Sequence, residues 1–527
     1  MFVHLIRKNL YPIRNIIRLL IAIGTLTTNN TLAVNNEDVD IDNDGLIEIE
    51  TFSELYQMRF NLAGTGFSNA QGITISAGCP ASGCIGYELT QDINFDSNGD
   101  GNLSDEAEWN NGEGWQPIGS IDHPFAAVFD GNNHTIRNLY INRATEDYIG
   151  LFGVVSKSKI QNLIFDGPLH EIRGNNNVGG LAGAAIYDDY PGSSQIQNIK
   201  IEGFIKGIRN VGGLTGLTQG SAPKKILGNQ FSGIVQGWTR VGGISGYLES
   251  SYLYGTAIND NIIQAHVLGT TESGGIVGAI SLDSMSEMEI RNNSITVTIR
   301  GAKYLGGLIG KSEHRGYFGL ISLSENAVFA NNYGKQRYVG GLVGYAFLDQ
   351  DSNISVSSSF TAGINLGEDF VGGFFGHINA GDGTSASIQY SYSEAQVQGD
   401  SYIGGLVGAA STYCRDPVSY TGISLYMVYS RGLVKGHSGV GGITGYIESD
   451  GCEDDSIRTY SSYWDVETSQ QQSSKGGLGY SSAELKCPTE PGDPCCQTIL
   501  YENWRDTIWN FGTRNSYPVL LNMQTTP

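Results

Sequence analysis

A short acidic segment near the beginning of the chain has the residue spacing of a calcium-binding loop. Asp40, Asp42, Asp44 and Glu48 occupy positions 1, 3, 5 and 9 of the loop, and Gly45 occupies position 6, where such loops turn sharply. Carboxylate oxygens are the ligands that a hard cation prefers, and clustered carboxylates repel one another in its absence. The segment therefore predicts a structural calcium site, with a solvated acidic turn as the alternative.

A second segment repeats this pattern further along the chain. Asp96, Asn98 and Asp100 occupy positions 1, 3 and 5 of the loop, and Gly101 again occupies position 6. We expect a second calcium site here, with the same structural role as the first and the same alternative.

Both segments lack the bidentate Glu that normally stands at position 12 of such a loop. Thr51 holds this position in the first segment and Ala107 holds it in the second. The acids near enough in sequence to replace the missing ligand are Glu50, Asp105 and Glu106. We expect weak affinity for calcium, in the range of about 10⁻⁴–10⁻³ M that extracellular modules show.

The sequence lacks the signatures of several common enzyme classes. Its eight histidines form no His-Glu-x-x-His, which excludes a zincin peptidase, and it has no Gly-x-x-x-x-Gly-Lys-Ser/Thr phosphate-binding segment. A polysaccharide lyase or hydrolase needs paired carboxylates, or calcium with a base, on one exposed face. The candidates for such a face are Asp188, Asp189, Asp454, Asp455, Lys206 and Arg209. We expect these residues to be solvated loop charges, which favours a protein without enzyme activity.

The composition favours an ordered β-protein. Glycine accounts for 73 of the 527 residues and apolar residues for 40%, while charged residues make up 16%, below the usual ~25%. A chain so rich in glycine and poor in charge is unlike a helical bundle or a coiled coil. The formal net charge of −22 disfavours a nucleic-acid-binding protein, which needs a basic surface.

One motif, apolar-Gly-Gly-apolar-x-Gly, recurs nine times at steps of 30 to 37 residues. Ser273 is the single exception at its apolar first position, and residues 149–153 form a degenerate tenth copy. A repeat of about 32 residues cannot bury its own apolar face, whereas stacked copies can. The nine copies span residues 178–183, 211–216, 241–246, 273–278, 305–310, 339–344, 371–376, 403–408 and 440–445.

In several repeats, the stretch before the motif has apolar residues at alternating positions. Phe231 and Val235 precede one copy, and Ile295, Val297 and Ile299 precede another. This period predicts a strand with one buried face. A glycine stands four positions before the motif in eight of the nine copies, so each repeat predicts a strand, a glycine turn and a second strand that begins at the doublet.

Stacking of these repeats predicts an all-β fold, a parallel β-helix of about ten coils of ~32 residues with a cap at each end. Right-handed winding is expected from the usual handedness of parallel crossovers. A β-propeller is the alternative, although its blades usually take ~40–45 residues.

The repeats resemble the GLUG motif, which is named for a Gly-Leu-x-Gly core. Residues 124–136 are similar to the segment that leads into such repeats, and residues 87–95 to the strand before it. The motif occurs in large bacterial surface and secreted proteins, including the repeat region of IgA-specific metallopeptidases. The resemblance implies an exported β-helical repeat protein, and it implies no particular chemistry because the peptidases keep theirs in a separate domain.

We expect four regions along the chain. Residues 1–33 resemble a signal peptide, with basic residues, a short apolar stretch and a Thr31-Leu32-Ala33 cleavage site. Residues 34–118 form an N-terminal acidic capping region, and residues 119–448 form the repeats. Residues 449–527 form an aromatic, cysteine-containing C-terminal cap, in which the aromatic side chains either plug the end of the helix or stack on sugars.

The seven cysteines are typical of a protein in an oxidising compartment. Cys79 and Cys84 lie close enough in a turn-rich loop to form a disulfide, and an odd total leaves one thiol unpaired. The pairing of the other five is not determined by the sequence: Cys414, Cys452, Cys487, Cys495 and Cys496.

The function expected from these features is that of an exported, calcium-stabilised binding or scaffold module of the adhesin type. We expect it to be secreted or on the cell surface, with the periplasm as a further alternative, and to have no membrane anchor once mature. Its partner would be an extracellular carbohydrate or protein rather than a nucleic acid. A carbohydrate-active enzyme is the alternative, as is a passenger that is held by a partner.

Overall fold

Each repeat folds into one coil because its apolar residues alternate along short strands that are separated by tight turns. One representative coil contains Lys224–Leu227, Gln230–Gln236, Thr239–Gly242 and Ser245–Ser250. Its inward side chains, among them Phe231, Val235 and Leu248, are buried. Every strand pairs in parallel with its equivalent in the next coil, so the apolar faces of all coils form one continuous core.

The computed structural model describes residues 38–103, 110–168, 170–187, 194–221, 224–251, 255–415, 421–452, 457–521 and 523. Several features singled out in the sequence lie outside these ranges. They are the signal segment 1–33, the acid pairs Asp188–Asp189 and Asp454–Asp455, and Asp105, Glu106 and Ala107 of the second acidic loop.

In the described part of the chain, the coils form three parallel sheets, of which one begins at Leu46 and the other two begin at Phe152 and at Asn176. We name them the first, second and third face in the order in which a coil visits them. The second face contains Asn176–Gly179, Arg209–Gly212, Thr239–Gly242, Thr271–Gly274, Lys303–Gly306, Val339–Gly340, Asp369–Gly372, Ser401–Gly404 and Ser438–Gly441. The third face contains Phe152–Ser156, Ala182–Ile186, Thr215–Gly220, Ser245–Ser250, Val277–Leu282, Ile309–His314, Val343–Leu348, Phe375–Ala380, Val407–Tyr413 and Thr444–Asp450.

The first face is bent, and most coils contribute two strands to it. Its strands from the N-terminal end to the middle are Leu46–Ile49, Gly86–Leu89, Ile93–Asn94, Val128–Asp130, Thr135–Arg137, Tyr140–Asn142, Lys159–Asp166, Glu171–Arg173, Ser194–Lys206, Lys224–Leu227, Gln230–Gln236, Thr256–Asn259, Ile262–Leu268, Glu287–Arg291 and Ser294–Gly301. The remaining strands are Leu320–Ser324, Ala327–Gly334, Asn353–Ser357, Phe360–Leu366, Ser385–Gln389, Tyr392–Ser393, Gln396–Gln398, Gly422–Tyr426, Tyr429–Ser430, Val434–Lys435, Ile457–Tyr460, Tyr463–Asp465 and Leu478–Tyr480.

The glycine doublets form a column along the stack, which confirms the predicted β-solenoid. Gly212 pairs with Gly242, and the other doublets pair in the same register. A Cβ on Gly212 would lie 2.0 Å from the Thr215 carbonyl oxygen, and one on Gly213 would lie 2.1 Å from that of Gly243. No side chain fits at such distances, so the doublet is required by close backbone approach.

The doublet ends one strand and turns the corner, and the third-face strand begins two residues later. Thr239–Gly242 and Ser245–Ser250 show this arrangement in one coil. The sequence predicts that the second strand begins at the doublet, whereas in the structure the doublet lies at the corner between two strands. Glycine is needed at this corner because neighbouring backbone carbonyl oxygens lie too close for a side chain.

A ladder of buried asparagines follows the bend of the first face. Asn229 donates a side-chain hydrogen bond of 3.0 Å to Asn261, which donates one of 3.0 Å to Asn293, which donates one of 2.9 Å to Asn326. All four are buried, and each amide also bonds a backbone carbonyl. The ladder therefore gives the buried asparagine side chains at the bend their hydrogen-bond partners.

The two ends of the stack are closed by different structures. At the N-terminal end, the strand Leu46–Ile49 is followed by the helix Phe52–Gln57, a 3₁₀ turn Met58–Phe60 and the hairpin of Phe67–Ser68 and Thr74–Ile75; a further 3₁₀ turn, Asn110–Gly112, comes later. The C-terminal end contains the helices Val466–Ser469 and Ser482–Lys486 and the hairpin of Trp509–Asn510 and Val519–Leu520.

The aromatic side chains of the C-terminal region pack inward. Trp504 and Trp509 are almost completely buried with ring centroids 4.4 Å apart, and they form a separate apolar cluster with Tyr429 and Phe511. The faces of these rings are covered, so the rings form an apolar plug and offer no surface on which sugars could stack.

Candidate functional site

The first acidic segment folds into a tight loop that gathers its own carboxylates. Asp40 Oδ2 accepts a hydrogen bond of 3.0 Å from the Gly45 backbone N–H, and Asp42 Oδ1 accepts one of 3.1 Å from that of Asp44. Gly45 has φ of +91°, a conformation that favours glycine. Carboxylate oxygens of Asp40, Asp42 and Glu48 lie within 4.8 Å of one another.

The neighbouring coil adds a carboxylate that sequence reasoning missed. The strand Gly86–Leu89 pairs in parallel with Leu46–Ile49, and this register places Glu88 opposite Glu48. Oxygens of Asp42, Asp44 and Glu88 lie within 4.8 Å of one another. Glu88 is separated from the loop by forty residues, so only the strand register could have indicated it.

The residues at and beside position 12 have other roles. Thr51 is the N-cap of the helix Phe52–Gln57, and its hydroxyl accepts a hydrogen bond of 3.2 Å from the Glu54 backbone N–H. Glu50 is exposed and belongs to neither group of carboxylates. The chain therefore turns into a helix where a conventional loop would supply its last ligand.

The carboxylates at this end are crowded and partly removed from water. Asp40 is fully buried and Glu88 is 5% exposed. Burial raises the pKa of Glu48 and of Glu88 above the ordinary value, because the charged form loses its hydration. Among the described residues, no Lys or Arg lies within 4.0 Å of Asp40, Asp42, Asp44, Glu48 or Glu88.

The second acidic segment has the same local geometry. Asp96 Oδ2 accepts a hydrogen bond of 3.2 Å from the Gly101 backbone N–H, as Asp40 does from Gly45, and Asn98 Oδ1 accepts one of 2.9 Å from that of Asp100. The acids expected to complete it lie outside the described residues. Both predicted calcium sites therefore remain predictions, and the first now has five carboxylates.

A second candidate site lies at the corner between the first and second faces. The residue just before each glycine motif has a positive φ, including 60° at Tyr304, 68° at Tyr338, 57° at Phe370 and 62° at Tyr402. Large side chains rarely adopt this left-handed conformation, and residues held in it often mark functional sites. We call these four residues the aromatic ridge.

The rings of the aromatic ridge stack on one another along the solenoid axis. Tyr304 and Tyr338 have centroids 5.0 Å apart and nearly parallel planes, and Phe370 and Tyr402 follow at 5.0 and 4.9 Å. Each ring sits one coil above the last, so its faces are covered by its neighbours. Tyr345 and His377 of the third face also pack against the ridge, at centroid distances of 4.9 to 5.9 Å. The ridge is half-buried and ties successive coils together.

A shallow groove of about 450 Å³ runs beside the ridge. Its lining combines two cations, one acid, one amide and two phenols: Lys303, Arg337, Glu368, Gln336, Tyr304 and Tyr338. Trp238 lies on the same corner two coils away and is 68% exposed. The groove therefore offers hydrogen-bonding and charged groups, and an exposed indole lies about 10 Å along the axis.

Of the residues considered for catalysis, Lys206 and Arg209 lie within the described ranges, and the two acid pairs lie outside them. Lys206 and Arg209 are exposed on the outer surface. At the opposite corner, Arg415 bonds Asp349 at 2.9 Å and Asp382 at 2.9 Å, so these acids are neutralised by a guanidinium. This ion-pair bridge ties three coils together.

Three disulfides join Cys79 to Cys84, Cys414 to Cys452 and Cys487 to Cys496, and Cys495 is a free, exposed thiol. The first pair confirms the prediction for that loop. Such a disulfide content is typical of proteins outside the cytoplasm. The described part of the chain contains no helix with the length and apolar character needed to span a membrane.

Two known proteins are similar in sequence to parts of this chain. Halomucin of Haloquadratum walsbyi is 33% identical over 137 residues, which cover 25% of this chain and 1% of halomucin. A protein described as a Gly-rich membrane protein of Evansella cellulosilytica is 34% identical over 92 residues, or 17% of this chain and 10% of that protein. The chain thus spans only a small part of the length of either relative.

No family model matches the chain. Among solved structures, a Bacteroides ovatus protein described as an immunoglobulin A1 protease aligns over 91% of this chain and 93% of its own, with 15% identity and a TM-score of 0.24. A TM-score this low does not show that the two proteins share an overall fold. The β-solenoid assignment depends on the strand register of this chain itself.

Proposed function

We propose that this chain is an exported, non-enzymatic binding module of the adhesin type that acts at or outside the cell surface and is stabilised by calcium. The observation that carries the proposal is the groove beside the aromatic ridge, where six polar or aromatic side chains from three coils meet at one strained corner. The disulfides and the surface-type names of the relatives support its placement outside the cell.

The chemistry of the groove favours a carbohydrate as the ligand. Hydroxyl, amide and charged groups suit the many hydroxyls of a saccharide, and an exposed indole such as Trp238 can pack on a sugar ring. Lys303, Arg337 and Glu368 line the groove, and Arg337 also pairs with Asp369 at 3.8 Å, so the charges of the groove do not favour acidic over neutral saccharides. A stack of similar coils also suits weak binding to repeated units of a polymer.

The test is a glycan-binding and glycan-degradation screen of residues 34–527. We expect binding without release of shorter products. Arg337→Ala and Trp238→Ala are each expected to weaken binding about tenfold, equivalent to about 1.4 kcal/mol. Lys335→Ala is the matched control, because Lys335 is exposed close to the groove but does not line it.

Release of products would instead support a carbohydrate-active enzyme. Equal binding by the wild type and by the Arg337 and Trp238 variants would place the binding surface elsewhere on the molecule.

A further inference from the structure

The first acidic loop contains buried carboxylate oxygens without partners. Asp40 Oδ1 and Glu48 Oε2 are inaccessible to solvent and accept no hydrogen bond. Asp40 is fully buried, and its other oxygen is bonded to the Gly45 N–H. Buried polar atoms in native proteins nearly always have a partner, so these two oxygens are open to a ligand that supplies positive charge.

The spacing of the oxygens fits one calcium ion. Two oxygens on opposite sides of a calcium ion, each about 2.4 Å from it, lie about 4.8 Å apart. Within each of the two groups of three carboxylates, which share Asp42, the oxygens lie within this distance of one another. Five carboxylates from two coils converge around Asp42, more than the loop segment alone can supply.

Glu88 replaces the ligand that the loop has lost. The side chain at position 12 is Thr51, which caps a helix, while strand pairing places Glu88 directly opposite Glu48. The next acid in this column, Asp130, is already satisfied by the amides of Gln161 and Asn162. Glu88 accepts a side-chain hydrogen bond at Oε2, from Asn132, and Glu48 accepts one at Oε1, from the Ile41 backbone N–H. Asp130 has amide partners at both oxygens, so it is not among the proposed ligands.

We propose that Asp40, Asp42, Asp44, Glu48 and Glu88 form one calcium site that is shared between the N-terminal loop and the adjacent coil. The inference deepens the calcium part of the proposed function and rests on it. Because the ligands come from two paired strands, the ion closes the end of the solenoid. The disulfide of Cys79 and Cys84 lies beside the proposed site, since Cys84 Sγ is 3.7 Å from Asp40 Oδ2.

Residues 34–527 are titrated with calcium while the melting temperature is followed, and terbium luminescence reports the number of sites. We expect calcium to raise the melting temperature of the wild type, with an affinity of about 10⁻⁴–10⁻³ M. Glu88→Gln is expected to weaken this affinity at least tenfold. Glu50→Gln is the matched control, because Glu50 is exposed and outside both carboxylate groups.

Measurements in chelator separate loss of the site from loss of the fold. Without calcium, Glu88→Gln removes one repelling charge and is expected to melt at or above the wild-type temperature. With calcium, it is expected to melt below the wild type. This reversal of order is not produced by a variant that merely folds poorly.

Asp96→Asn keeps the first site intact and reports on the second loop. It is expected to retain the calcium dependence that Glu88→Gln loses.

Three outcomes would overturn the inference. They are a wild-type melting temperature that calcium does not change, an equal calcium response in Glu88→Gln and wild type, and a Glu50→Gln variant that loses the response. None of these outcomes bears on glycan binding by the corner groove, so failure of the calcium site and failure of the proposed binding function are distinguishable.

Discussion

The two ends of the solenoid solve the same problem with opposite chemistry. Each end would expose an unpaired strand edge, which invites association with other chains. At the N-terminal end, Leu46–Ile49 is held beside a loop of carboxylates and a small disulfide. At the C-terminal end, Trp504 and Trp509 pack into an apolar plug.

The difference predicts that the C-terminal end closes without an additional component, whereas the N-terminal end, under the proposed calcium site, depends on a cation. Burial of aromatic rings needs no additional component. Five clustered carboxylates repel one another when they are ionised, and a bound cation would relieve this repulsion. The coils between the ends contribute nearest-neighbour contacts, as in other solenoids, so each end is expected to open on its own.

The largest effect is expected from breaking the C-terminal plug. Trp509→Ala should lower the free energy of unfolding by about 3–5 kcal/mol, because it removes a large buried ring. The loss should be the same with calcium or chelator, and denaturant unfolding in each condition measures it. Ile499→Ala is the control, since Ile499 is 62% exposed in the same cap. A loss that changes with calcium would mean that the two ends are coupled.

Acid is expected to weaken the coils between the ends. Burial lowers the pKa of His170 to about 4 and that of His314 to about 3, from an ordinary value of 6.5. The unfolded chain binds protons below pH 6.5 while the folded imidazoles stay neutral, so stability is lost as the pH falls from 6.5 towards 4. For His170 the loss at pH 4 is on the order of 3 kcal/mol.

His170→Gln should therefore lose less stability than the wild type between pH 7 and pH 4.5, as followed by thermal melts. His437→Gln is the control, because the His437 side chain is 85% exposed. A His170 variant with wild-type acid sensitivity would contradict the assignment.

The disulfides of the two caps are expected to differ in their effect on calcium. In the chain-entropy account, loss of the Cys79–Cys84 or of the Cys487–Cys496 bridge costs about 2 kcal/mol. Serine pairs at Cys79 and Cys84 should also weaken the calcium response, since this bridge lies beside Asp40. Serine pairs at Cys487 and Cys496 should leave it intact. Equal calcium responses in both variants would separate the bridge from the site.

The smallest effect is expected from removing calcium, and it should be confined to one end. At 2 mM calcium and an affinity of about 10⁻⁴–10⁻³ M, binding stabilises the folded cap by about 0.6–2 kcal/mol. Hydrogen exchange of Leu46–Ile49 should therefore speed up about 3- to 20-fold in chelator, whereas that of Val519–Leu520 should not change. Faster exchange at both ends would remove the distinction between them.

The repeat was predictable because its signals lie within short stretches of sequence. Glycine doublets at a constant spacing and apolar residues at every second position require only neighbouring coils to be satisfied, so the β-solenoid follows from the chain alone. The asparagine ladder had a signal of the same kind, since Asn229, Asn261, Asn293 and Asn326 stand 32 or 33 residues apart. The glycine doublet is the stronger sequence signal because it recurs in every copy of the motif.

The candidate sites were less predictable because they depend on register. Tyr304, Tyr338, Phe370 and Tyr402 occupy one corner position, and nothing about a single tyrosine before a glycine motif indicates a left-handed backbone or a stacked ring. The C-terminal tryptophans allowed two interpretations, and only their packing into the plug decides between them.

The sequence by itself determined the coil, its length, its stacking and the first four carboxylates of the acidic loop, because each of these is encoded within one repeat or one short segment. The tertiary structure decided that Glu88 joins that loop, that the corner rings stack, and that the two ends close by different means. The physical reason is that a parallel pairing brings residues more than thirty positions apart within 5 Å, and the charges and rings that meet there are chosen by the register of the strands.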